Sequence, residues 1–129
     1  MNESKCCYIS IGTNENREVN LDFAHRQLGR LYPDIAYSPV LDTQAVGMKH
    51  PCRFLNQVAC FHTQTTREET RSDLKRIEKE AGRTPEEKIR EIIRLDLDLL
   101  IYDGEVLKPH DLERSFVREG LDFFHEDLL

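Results

Sequence analysis

No stretch of the sequence approaches the roughly 18 consecutive apolar residues that a membrane-spanning helix needs. The opening MNESKCCYISIG also lacks the basic start, apolar middle and small-residue cleavage site of a signal peptide. Both absences argue against a membrane span and point to the cytoplasm. There is no block of basic residues either: 18 Lys and Arg are scattered among 24 Asp and Glu, for a net charge of -6. That excludes a binder of nucleic-acid backbones, which neutralises phosphates with clustered cations, but leaves room for a nucleotide site needing two or three placed ones. No C-x-x-C occurs among the four cysteines, so a zinc site is not expected, and Cys6 and Cys60, in strand-like surroundings, read as small core residues. Repeats and low-complexity tracts are also missing. What is present is 39% hydrophobic and 33% charged residues, enough for one core beneath an ionic surface. The whole of 1–129 reads as one domain.

The β-branched and aromatic run at residues 7–11, closed by Gly12-Thr13-Asn14, reads as a strand. Leu21, Ala24, Leu28 and Leu31 then mark one face of a helix over residues 19–32, with Asn16 or Asn14 as its cap and Pro33 as its stop. A second strand is expected over 34–41, a long loop over 42–52, and a third strand over 54–65. Thr66-Arg67-Glu68-Glu69 has the form of a capping box. It opens a second helix whose inward stripe is Thr70, Leu74, Ile77 and Ala81, ended by Gly82. Thr84-Pro85-Glu86-Glu87 is a second such signal, before a strand over 94–102. The order β-α-β-β-α-β is the split βαβ arrangement: an α+β fold with an antiparallel sheet and two helices on one face. Beyond it, Glu105-Val106-Leu107 could form a short edge strand, and residues 111–128 are polar enough for one or two exposed helical segments.

Leu95-Asp96-Leu97-Asp98-Leu99 carries the most chemical information. Strand side chains alternate, so the leucines face one way and both aspartates the other. Two like charges on one strand face repel and need a compensating cation or full solvation. A hard divalent ion such as Mg²⁺, completed by substrate phosphates, is one solution. A solvated outer face of the sheet is the other.

The opening Tyr8-Ile9-Ser10-Ile11-Gly12-Thr13-Asn14 with Asn20-Leu21, the segment from Thr43 to Gly47 followed by Pro51 to Asn56, the group Glu78, Gly82, Arg83, the pair Asp96 and Asp98, and finally Pro109-His110 with Arg114 to Val117 together resemble the 6-hydroxymethyl-7,8-dihydropterin pyrophosphokinases of folate synthesis, a family with a ferredoxin-like fold. The resemblance implies diphosphate transfer from ATP to a pterin hydroxyl, with Mg²⁺ held by Asp96 and Asp98. It further implies a pterin slot of Thr43, Val46, Phe54, Asn56 and Phe116, and nucleotide contacts from Glu78, Arg83, His110 and Arg114. The alternative is a member of the same fold that has lost catalysis and serves as a pterin or nucleotide binder, or as a protein-interaction module. ATP and a pterin are thus the expected partners, with no nucleic acid and no membrane.

One interval departs from the family pattern. The family carries there an arginine-rich mobile loop with a Trp and a G-P-R; residues 84–95 here read T-P-E-E-K-I-R-E-I-I-R-L. Capping residues and isoleucines at i, i+3 and i+4 predict instead a short helix from Pro85 to about Glu91, docked through Ile89 and Ile92.

Overall fold

A computed structural model describes residues 3–45, 47–50 and 52–127. The elements run β1 (Lys5–Thr13), α1 (Arg17–Leu31), β2 (Ala36–Tyr37), β3 (Leu41–Gln44), β4 (Arg53–Thr63), α2 (Arg67–Glu80), α3 (Pro85–Ile89), β5 (Asp96–Tyr102), β6 (Glu105–Val106), a single 3₁₀ turn (Asp111–Glu113) and α4 (Ser115–Asp127). The strands form one antiparallel sheet in the order β2-β4-β1-β5-β6, with β3 also paired to β4. This is the expected α+β, ferredoxin-like arrangement.

The face that carries α1 and α2 is the main core. Ile9, Ile11, Ala59, Phe61, Leu97 and Leu99 meet Leu21, Ala24 and Leu28 of α1 and Leu74 and Ile77 of α2. Thr66 caps α2 as anticipated, its hydroxyl accepting from the Glu69 N–H while the Glu69 carboxylate returns to the Thr66 N–H. Gly82, at φ 99°, turns the chain out of that helix in the left-handed region open to glycine.

Several expectations are corrected. The second strand shrinks to Ala36–Tyr37, and the start of the expected loop, Asp42 to Gln44, belongs to β3, because Leu41–Gln44 folds back as a hairpin on Arg53–Asn56. Leu31 is exposed and Tyr32 takes the buried place, stacked on Phe61 with ring centroids 3.8 Å apart. Asn16 stands at the α1 N-terminus in a left-handed conformation and makes no side-chain cap bond. The helix at Pro85 exists but ends at Ile89, and it is not docked through that residue, which is 83% exposed. Ile92 and Ile93 lie past the end of this helix, so the three isoleucines do not share a helical face. The C-terminal segment is not simply exposed either: α4 lies on the second face of the sheet and buries Val117 and Phe124, with Phe124 edge-on to Tyr8. Gly120 makes that approach possible, since a methyl group there would overlap the Val58 side chain. No helix among the described residues is long and apolar enough to cross a membrane.

Candidate active site

The second face is built by register. Asp96 pairs with Gly12 and Asp98 with Ser10, while on the other side of β1 Gly12 pairs with Asn56 and Ser10 with Val58. Opposite residues of an antiparallel pair point the same way, so Asn56, Gly12 and Asp96 form one row across three strands. The backbone is bare at the middle of the row, where a Cβ on Gly12 would stand 3.2 Å from Asn56 Oδ1. Around the row opens a cleft of about 550 Å³, within the range that holds a small-molecule ligand. Its walls come from β3 and the following loop (Thr43, Met48), from β4 (Phe54, Asn56), from Ile93, and from the α4 end (Arg114, Phe116). Asp96 and Asp98 line its floor.

The sequence-derived slot residues Thr43, Phe54, Asn56 and Phe116 are thus brought together; Val46 lies outside the described residues. Asn56 is buried, and its amide N–H₂ donates to the Thr43 hydroxyl, which fixes the orientation of the amide and leaves its carbonyl toward Gly12. Arg83 reaches the floor from beyond the second helix: its guanidinium donates to Asp96 Oδ1 at 2.8 Å and lies 3.0 Å from Glu78 Oε2. Glu78 is buried and turned inward, accepting the Leu97 N–H at 2.7 Å on the edge of β5 that β6 does not cover. It therefore secures the backbone between the two aspartates and holds Arg83 against Asp96. His110 is exposed at the start of the 3₁₀ turn and does not line the cleft, whereas Arg114 lines it beside Asp111.

The carboxylate pair is electrostatically split. Burial, then the charge of Asp96, pushes Asp98 up to about 7. Burial also acts on Asp96, but hydrogen bonds from Asp98 and Arg83 outweigh it and hold its carboxyl below the ordinary range. Near neutrality the pair shares a proton, as two carboxyls at one site do. A divalent cation would replace that proton, and a hard ion that takes few protein carboxylates suits a site where no cluster of three His, Cys, Asp or Glu is found among the described residues.

Three cations escaped the sequence reading. Lys108 Nζ lies 4.0 Å from Asp98 Oδ1, and Arg71 and Lys75 of α2 line the same small side cleft with Asp98. Arg71 and Lys75 are spaced i, i+4 around the buried Leu74, so the helical period places them on one side; only the tertiary fold aims that side at Asp98. The interval 84–95 supplies less. Arg94 is engaged by Glu87 at 2.9 and 3.1 Å.

A cleft floored by an acidic pair and flanked by cations is thus assembled from the motifs that run through most of the chain. The family model for 7,8-dihydro-6-hydroxymethylpterin-pyrophosphokinase (HPPK) matches residues 8–124, and the chain belongs to this family of pyrophosphokinases, transferases of folate biosynthesis.

Proposed function

We propose that the protein transfers diphosphate from ATP to the hydroxyl of 6-hydroxymethyl-7,8-dihydropterin, in the cytoplasm and as one domain spanning 1–129. The hydroxyl oxygen forms a bond to the β-phosphorus and releases its proton to solvent, the bond from that phosphorus to the α-phosphate oxygen breaks, and AMP leaves with the electron pair. The observation that carries this reading is the Asp96–Asp98 pair on the cleft floor, with Asn56 across Gly12 on one side and Lys75 and Lys108 on the other. Asn56, oriented by Thr43, presents a carbonyl to an amide-like ring edge, and Phe54 and Phe116 offer flat apolar walls to the ring. Asp96 and Asp98 would hold Mg²⁺, which when bound neutralises phosphate charge between the two substrates. Arg83, fixed by Glu78, keeps Asp96 ionised and ready as a ligand. Arg71, Lys75, Lys108 and Arg114 would offer positive charge to the phosphates, which leaves the protein little covalent work beyond positioning.

Calorimetry with 6-hydroxymethylpterin and a non-hydrolysable ATP analogue, with and without Mg²⁺, tests the reading together with an assay for AMP release. Nucleotide binding indifferent to Mg²⁺ would defeat it. A second reading, binding without turnover, is favoured by the Glu87–Arg94 pair, which occupies an arginine of the segment that carries the family's phosphate-facing cations. Ligand binding with no AMP release decides for it.

A further inference from the structure

The segment that follows α3 is stitched to two neighbours. Asn14, at the end of β1, donates its backbone N–H to the Ile93 carbonyl (2.9 Å), accepts the Ile93 N–H on its side-chain oxygen (2.6 Å) and donates its amide to the Glu91 carbonyl (2.8 Å). Glu91 itself holds a φ of 61°, a conformation that residues other than glycine rarely adopt. That backbone turns its side chain onto the loop after β3. One carboxylate oxygen accepts the Lys49 N–H at 2.9 Å, the other accepts the same group at 3.1 Å and the His50 N–H at 3.3 Å. Consecutive backbone N–H groups converging on a carboxylate form a small anion cradle, here filled by the protein's own acid.

The joined pieces are both walls of the ring cleft. Ile93 lines it from one side and Met48 from the other, one or two residues from the clasped groups. We infer that Glu91 is a positioning residue: its carboxylate fastens the loop at residues 47–50 to the segment at residues 91–93, so that the two walls move as one and the ring enters or leaves only when this clasp opens. The inference rests on the pterin reading of the cleft for its functional half; the clasp itself does not.

Amide hydrogen exchange without ligand tests the clasp. In the wild type, the Lys49 and His50 amides should be protected. In Glu91→Ala they should exchange at least tenfold faster, while core amides of β1 and β4 stay unchanged. Glu91→Gly removes the left-handed constraint as well as the acceptor and should behave like Glu91→Ala at these two amides; Glu91→Gln, which keeps one acceptor oxygen, should recover part of the protection. Stopped-flow binding of fluorescent 6-hydroxymethylpterin tests the gating. Association and dissociation should both accelerate in Glu91→Ala, dissociation more, with a raised KM for the pterin and an unchanged KM for ATP. Wild-type exchange at Lys49 and His50 as fast as in Glu91→Ala, or equal losses for both substrates, overturns the inference. If the exchange pattern holds but the wild type binds no pterin probe, the pterin reading and the gating fall together, and the clasp stands as a structural link alone.

Discussion

On the side of the sheet that carries α1 and α2, β1 and β5 contribute Ile9, Ile11, Leu97 and Leu99, all buried. On the other side the same two strands contribute Ser10, Gly12, Asp96 and Asp98. Alternation along a strand thus lets one stretch of chain stabilise the fold with every second residue and line the cleft with the rest. The two sets share a backbone but not an environment. Substitutions one position apart in sequence are accordingly expected to fail in different ways.

The largest separation is expected at Asp98 and its neighbour. Asp98→Ala should lower diphosphate transfer at least a thousandfold, about 4 kcal/mol of transition-state stabilisation, without lowering the denaturation midpoint; a variant that unfolds would erase the distinction between the faces. Metal-free stability should carry the same signature. Because burial and then Asp96 raise the Asp98 pKa to about 7, the fold favours the protonated acid. The penalty is absent below about pH 4, where the carboxyl is protonated in both states, and complete above about pH 7, so wild-type stability should decline across that window relative to Asp98→Asn. Urea titrations of both proteins at several pH values measure the difference.

Leu97→Ala, on the opposite face, should cost about 2–5 kcal/mol in unfolding free energy through the cavity it leaves. Transfer at saturating substrate by the fraction that remains folded should stay within a few-fold of wild type. Asn56→Ala should weaken pterin binding by about 1–3 kcal/mol and leave nucleotide binding nearly unchanged, as judged by calorimetry. Equal losses for both ligands would mean a packing defect instead. The smallest effect belongs to Ile89→Ala, whose side chain is already in water. Its unfolding free energy, from the same urea titrations, should stay within about 0.5 kcal/mol of wild type.

What the sequence discloses about this comparison follows from range. The Asp96–Asp98 alternation, the Thr66 capping box and the Gly82 stop act within a few residues and could be read directly. β3 could not: Asp42, Thr43 and Gln44 have no strand pattern, and they are extended only because β4 offers its edge. The burial of α4 depends on Gly120 meeting Val58, residues far apart in the chain, so its polar composition pointed to solvent. Lys108 and Lys75 look like ordinary surface charges until the fold brings Asp98 beside them. Ile89 misled in the opposite sense, since apolar spacing promised docking that a single helical turn does not provide. Glu91 offers no local signal; its partners at Lys49 and His50 are some forty positions away.

The row Asn56–Gly12–Asp96 has a geometric consequence. Neighbouring strands lie about 4.8 Å apart, so the amide that would read one end of a flat heterocycle and the acid at its other end stand two strand spacings apart, roughly 10 Å. Main-chain hydrogen bonds fix that span, and loop motion does not change it. The sheet therefore acts as a ruler, and a heterocycle whose side-chain hydroxyl lies too near its amide edge, or too far, cannot satisfy both marks at once.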